Sequence, residues 1–340
     1  MHSDLGTDEA WERLRASRSN PPARASTGAR RKTYSAALEQ LEQMFRAAAV
    51  VGPATRPLQV FYGLSQAGRA ITAAAWSLKG EDWRLDSHGI KTTGFDRPFP
   101  EIEIRTDPAG TQGSFVKVSE VLDSPVWEKT SVRLEDVWDL LPPTRRHPLT
   151  SRNRMPALYT DIESVGGHLN SLMSLPVCDI PDRVIEAGTR EALADFFATY
   201  PALAGHAGYE ITGPLGDDGP PDYARYRHGG GELRVMWAMP EGVTDGNELR
   251  RHIRAITRSY AGCWYFLPAL PRMTRELHPL MAWWAVLYTL SMLARYEPAT
   301  WGRLISVDNS QHAVPVEQVL ERAISHLPVL IADTIIEVSS

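Results

Sequence analysis

Two sets of polar residues recur in this chain at identical spacing. Tyr62, Leu64, Ser65 and Arg69 are repeated as Tyr288, Leu290, Ser291 and Arg295. Each set lies in an apolar stretch long enough for a helix. On a helix, positions i, i+3 and i+7 share a face, so Tyr, Ser and Arg line one stripe in each segment. A hydroxyl and a guanidinium on an otherwise apolar stripe need polar partners. If the two stripes converge, their serines and arginines form a site suited to a phosphate or carboxylate. The expected binding set is Tyr62, Ser65, Gln66, Arg69, Ser291, Arg295 and Tyr296. The structural alternative makes the serines points of close helix contact and pairs each arginine with an acid such as Glu39, Glu42 or Glu297. Either way, Arg69 and Arg295 are expected to be mostly buried and bonded to an acid or an anion.

Three histidine or arginine arrangements offer other chemistry. Arg272 and His278 resemble the Arg-x(4–6)-His motif of HEPN-type ribonucleases, which are four-helix proteins that usually act as dimers. That resemblance implies metal-independent RNA cleavage, with histidine moving a proton and arginine steadying the phosphorane. Pro279 suits a first helical turn, so the helix should begin at His278 and leave Arg272 in a loop. His88, before Gly89, suggests a turn that offers an imidazole as base or hydrogen-bond donor. Its alternative is a histidine satisfied by backbone in a tight loop. Arg250, Arg251, Arg254 and Arg258, with His252, form a basic cluster that could contact nucleic acid or simply be solvated. His147, His168, His206, His228 and His252 lack metal-ligand spacing, and no metal is expected. Walker, Gly-x-Ser-x-Gly and GxGxxG patterns are missing from the sequence, and no cofactor is expected. Trp83 and Trp127 sit in loop-like contexts where they could stack on a ligand.

The chain has 340 residues, 43% of them apolar and 23% charged, which fits a soluble globular protein. A net charge of −5 gives no overall bias towards nucleic acid. The first 33 residues are nonetheless basic through Arg13, Arg15, Arg18, Arg24, Arg30, Arg31 and Lys32. Cys178 and Cys263 lack CxxC partners, which fits a reducing compartment. The apolar run from Pro279 to Ala294 is shorter than the roughly 18–20 residues of a membrane span. The start lacks a signal sequence, and a cytoplasmic location is expected.

The elements that must position these residues follow from periodicity. A short helix is expected over 7–17 with Thr7 as its cap, then an extended connector over 18–32. Helices over 34–51 and 57–78, the second capped by Thr55, form a hairpin. Strand candidates are 101–105, 114–118, 169–177 and 233–239, with a turn at Gly229-Gly230-Gly231. Helical interruptions fall near 132–141 and 189–199. Helices return over 279–296 and 315–336, with Pro328 kinking the last. The expected organisation is a basic arm (1–33), a first hairpin (34–81), an inserted strand-containing region (82–276) and a second hairpin (277–340). The fold class is α+β, a bundle built from both ends of the chain around an insertion.

Two segments carry a family resemblance. Phe61-Tyr62-Gly63-Leu64-Ser65-Gln66, and Leu290-Ser291-Met292-Leu293-Ala294-Arg295-Tyr296 with Pro298 and Trp301, resemble the signature segments of the YaaC-like bacterial proteins. His88-Gly89-Ile90 resembles a smaller element between them. The resemblance spans roughly residues 34–335 and implies a cytosolic bacterial protein without implying a reaction. The leading expectation is a non-hydrolytic binding or accessory protein for a small anion, nucleotide or nucleic acid. The rivals are a HEPN-like ribonuclease in stress or phage defence, and a structural subunit of a bacterial complex. The residues do not decide whether the chain is an enzyme, and a homo-oligomer fits each reading.

Overall fold

The apolar stripes read from the sequence are the contacts that assemble the chain. The computed structural model describes residues 6–151, 154–168, 172–209, 221, 223–225, 230–243 and 245–340. These form two compact units, Met1–Ser151 with Leu277–Ser340, and Arg152–Glu276.

The first unit opens with helices α1 (Thr7–Ser19), α2 (Gly28–Val50) and α3 (Arg56–Ala74). Gly6, not Thr7, is the N-cap of α1. The Thr7 hydroxyl instead donates to the carbonyl of Ser325 at 2.8 Å. The expected connector over 18–32 is largely ordered as helix: a 3-10 turn at Ala23–Ser26 precedes α2, which starts at Gly28. Thr55 is the N-cap position of α3 but makes no side-chain cap bond. That helix ends at Ala74, short of the expected Leu78. Two glycines let α3 sit deep in the core. A Cβ on Gly63 would stand 2.7 Å from the Phe45 ring of α2, and one on Gly68 would stand 2.5 Å from the Trp284 ring.

Strands β1 (Ile90–Thr93) and β2 (Glu103–Thr106) come next. They are followed by α4 (Ser114–Val121), β3 (Val132–Arg133) and α5 (Leu134–Trp138). The strands form an antiparallel sheet in the order β1-β2-β3. Ser114–Val118 is therefore helix and not strand. Its alternating pattern carries no exposed face, because Ser114 to Ser119 are all buried. Its start is fixed by long-range bonds, with the Ser114 amide and hydroxyl both donating to the carbonyl of Ser87. Residues 82–151, expected within the insertion, group with the helical unit.

The second unit contains β4 (Leu158–Thr160), β5 (Gly166–His168), β6 (Leu172–Ile180), α6 (Asp182–Ala187) and α7 (Arg190–Phe197). It continues with β7 (Gly208–Tyr209), β8 (Ala224–Arg225), β9 (Gly231–Ala238), α8 (Gly246–Ile256), β10 (Arg258–Tyr260) and β11 (Cys263–Phe266). Its antiparallel sheet runs β10-β11-β4-β6-β9-β7, with β5 also on β6 and β8 also on β9. Leu233, Val235 and Trp237 alternate inwards along β9, as a half-buried strand requires. Phe196 and Phe197 of α7 and Leu249 and Ile253 of α8 complete that core. Residues 169–171, at the start of the expected strand, and Gly229 of the expected turn lie outside the described residues.

The chain then returns to the first unit with α9 (Pro279–Tyr296), α10 (Pro298–Leu304) and α11 (Ala313–Val338). Helices α2, α3, α9 and α11 pack together, as their stripes require. Trp283, Trp284, Phe61, Leu38 and Leu41 are among its fully buried side chains. Pro328 lies within a continuous α11. A proline leaves the carbonyl four residues earlier without its helical donor. The Thr7 hydroxyl reaches the adjacent carbonyl, that of Ser325, so α1 supplies a donor where the ladder is weakened. The described residues thus form an α+β protein with helical amino- and carboxyl-terminal parts.

Candidate functional site

Helices α3 and α9 bring the two copies of the repeat together in antiparallel fashion. Phe61 packs on Tyr288 with ring centroids 5.3 Å apart, while Gly68 faces Trp284. The two tyrosines therefore stand at one level. Seven residues at about 1.5 Å each place Arg69 and Arg295 roughly 10 Å from that level, in opposite directions. Helical side chains lean towards their own amino terminus, and Arg295 reaches back in this way to the tyrosine level. Arg295 Nη1 donates to the Tyr62 hydroxyl at 2.8 Å, linking the second copy to the first.

His88 stands at that level. Its ring lies 5.6 Å from both Phe61 and Tyr288, centroid to centroid. The loop that carries it is tightly built. The His88 carbonyl accepts from the Phe115 amide at 2.9 Å, and the Gly89 carbonyl accepts from the Asp107 amide at 3.0 Å. Gly89 has φ +71°, and a Cβ there would stand 2.9 Å from the Gly113 backbone. A residue with a side chain would be strained by its φ and would collide with Gly113. Backbone thus fixes the loop, while the imidazole has no hydrogen-bond partner among the described residues.

The electrostatics follow from this placement. Burial lowers the His88 pKa, and the charges of Arg295 and then Arg69 lower it further. The imidazole is therefore neutral at pH 7, with one nitrogen to donate and one to accept. Tyr288 is pushed up to about 12, first by burial and then by Tyr296, Asp107 and Tyr62, so its phenol keeps its proton as a donor. Asp107 is paired with Lys91 at 2.8 Å.

The expected binding set divides. Arg295 is bonded to Tyr62, and the charges of Arg295 and Arg69 both act on His88. Ser291 does not present its hydroxyl to a site: the residue is fully buried and donates to the Tyr288 carbonyl at 2.7 Å. Ser65 is buried and Gln66 half-buried in α3. Tyr296 is exposed, with the Arg295 guanidinium 5.1 Å over its ring. The expectation of two mostly buried arginines needs correction, since Arg69 is half-buried and Arg295 exposed. Neither has a carboxylate partner among the described residues. Arg69 makes one long bond, 3.4 Å to the Leu85 carbonyl. Two of the three suggested acids are engaged elsewhere, Glu39 with Arg18 and Glu42 with Arg15 and Arg46, and Glu297 makes no ion pair with either arginine among the described residues. Charge at the end of a helix can remain in water, and that frees it from the pairing rule for buried groups.

The other candidates have structural placements. His278 is the N-cap of α9: its Nδ1 accepts from the Leu280 amide at 3.1 Å, and its Nε2 stands 3.4 Å from Glu337 Oε2. Arg272 belongs to the second unit, where it is exposed with φ +67°. Within that unit Arg250 pairs with Glu163 and Arg258 with Glu276, while Arg254 lies over the Trp264 ring and Arg251 is exposed. Trp127 is core, its indole donating to the Ile104 carbonyl at 2.9 Å. Tyr288, Asp107 and Gly113 were outside the expected set. The glycines at 89 and 113 were the available signal, since a glycine in a buried segment marks close backbone approach.

A family model described as "YaaC-like Protein" matches residues 8–335. The chain belongs to the YaaC-like family. The match covers both copies of the repeat and the His88 loop, so the centre just described lies wholly within the family's extent. Comparison of this YaaC-like chain with curated proteins and with solved structures gives no match.

Proposed function

We propose that this YaaC-like protein is a non-hydrolytic binding or accessory protein for a small anion, acting in the bacterial cytoplasm. One observation carries the reading. Arg69 and Arg295, at opposite ends of a helix pair, both act through their charge on the His88 imidazole, and neither has a carboxylate partner among the described residues. Two like charges held near an imidazole raise the energy of the empty site, and an anion between them relieves that repulsion. The phenols of Tyr62 and Tyr288 and the free imidazole supply neutral hydrogen-bonding groups around the charge. That no helix of the described residues is long and apolar enough to cross a membrane accords with a cytoplasmic role.

The test is calorimetric titration with inorganic phosphate and with sulfate. Hydrogen bonds to charged groups contribute about 1.5–3 kcal/mol each, so Arg69→Ala and Arg295→Ala should each weaken binding at least about tenfold. Undetectable binding of either anion, or binding that survives both substitutions, would refute the reading.

A further inference from the structure

Arg69 also lines a cleft of about 190 Å³, together with Thr33, Trp83, Arg84 and Leu85. Its wall is held by Arg30, whose guanidinium donates to the Leu78 carbonyl at 2.9 Å and to those of Ala73, Ala75 and Gly80 at 3.4 Å. These carbonyls run from the last turn of α3 into the segment after it, so one side chain fixes the path of the chain from the helix into the cleft wall. The Thr33 hydroxyl has no partner among the described residues. Arg84 is exposed and pairs with Glu81 on the surface.

We infer that the ligand is a compact polar phosphate ester, of the size of a pentose phosphate, whose phosphate sits between Arg69, Arg295 and His88 and whose polar remainder fills the cleft beside Thr33. This rests on the anion-binding reading and adds the substrate class to it. Arg69 belongs to both spaces, so a group bound to it has the cleft as its natural continuation. At about 30 Å³ per water, the cleft holds the volume of about six waters, the scale of a pentose or short polyol. Its polar lining suits hydroxyl groups. A nucleobase fits poorly. Among the described residues Trp83 is the only aromatic ring lining the cleft, it is 5% exposed, and the Arg30 and Arg84 guanidiniums already lie over it at 5.6 and 5.2 Å.

The experiment compares inorganic phosphate, ribose 5-phosphate and adenosine 5′-monophosphate by calorimetry. The wild type should bind ribose 5-phosphate at least about tenfold more tightly than inorganic phosphate, a difference of about 1.4 kcal/mol. Thr33→Trp fills the cleft and should abolish that gain. It should leave inorganic phosphate within twofold, because Thr33 lies outside the anion centre. Arg84→Ala, at an exposed position, should reduce the gain without altering the fold. Equal affinity for the ester and inorganic phosphate, or a gain that survives both substitutions, would overturn the inference while leaving the anion site standing. Tighter binding of the nucleotide than of the sugar phosphate would also overturn it. Failure of all three ligands to bind would remove the anion reading itself.

Discussion

The two copies of the Tyr-Leu-Ser-Arg repeat differ in what surrounds them. In α3, Gly63 and Gly68 stand where α9 has Thr289 and Ala294. The first copy has given up side chains so that Phe45 and Trp284 can press against its backbone. The second satisfies its own hydroxyls within the helix, Thr289 on the Ala285 carbonyl and Ser291 on the Tyr288 carbonyl. Their arginines diverge as well. Arg69 is held half-buried beside a cleft, whereas Arg295 is exposed at a helix end and tied to Tyr62. The same four residue types thus serve as a packing face in one helix and as a reach into a polar centre in both. What decides their role is the neighbour each face meets, above all the His88 loop that lies against the Phe61–Tyr288 level.

The sharpest way to break this comparison is to exchange the small residues. Gly68→Ala forces a Cβ against the Trp284 ring and should destabilise the protein by about 1–3 kcal/mol, because overpacking outweighs the gain in helix propensity. Ala294→Gly should cost about 1 kcal/mol from propensity alone. Urea midpoints at constant m-value give both numbers. If Gly68→Ala were stabilising, the two copies would be packed alike.

A smaller effect separates the arginines. A buried Arg–carboxylate pair would lose about 3–5 kcal/mol on truncation. Arg295 lies exposed with a tyrosine partner, so Arg295→Ala should change stability by less than about 1 kcal/mol while still weakening phosphate binding. Thermal melts of this variant beside Arg69→Ala would show whether either arginine is structural. A loss of several kcal/mol in Arg295→Ala would reveal a buried acid.

The smallest effect is on the His88 titration. Arg295 lowers the His88 pKa more than Arg69 does, so Arg295→Ala should raise it further than Arg69→Ala. The sign for stability follows. The unfolded chain takes up this proton near about 6.5 and the folded chain only at lower pH. His88 therefore contributes stability above about pH 6.5 that is lost as pH falls. Imidazole chemical shifts across pH 4–8 measure the order directly. A curve unchanged from the wild type in either variant would mean that the two arginines do not share one centre.

Much of the helical frame was legible because its signals are local. The 3.6-residue period of Leu41, Phe45 and Ala48, and the proline starts at Pro57 and Pro279, appear in the structure as α2, α3 and α9. Ser114–Val118 was misread because two-residue alternation marks a strand only when one face meets water, and here neither does. Helix α11 was expected to kink at Pro328, and the remote Thr7 hydroxyl beside the weakened turn is invisible to a local reading. At the site, the repeat showed which residues share a stripe. It did not show that Arg295 ends in solvent, since that depends on where the helix stops relative to its neighbours. The position of His88 rests on contacts with Asp107, Phe115 and Tyr288, far away in sequence.

The first unit is made of two chain segments that precede and follow the second in sequence, and this has a consequence for synthesis. Trp284 and the rest of α9 leave the ribosome only after all of Arg152–Glu276. At about 5–20 residues per second, the groove that α3 offers to Trp284 waits more than ten seconds for its cover. During that interval a nascent chain presents the glycine-notched, apolar flank of α3 to whatever is nearby. Chaperone dependence, and aggregation of chains truncated before Leu277, are the expected price of closing a bundle with its last helices.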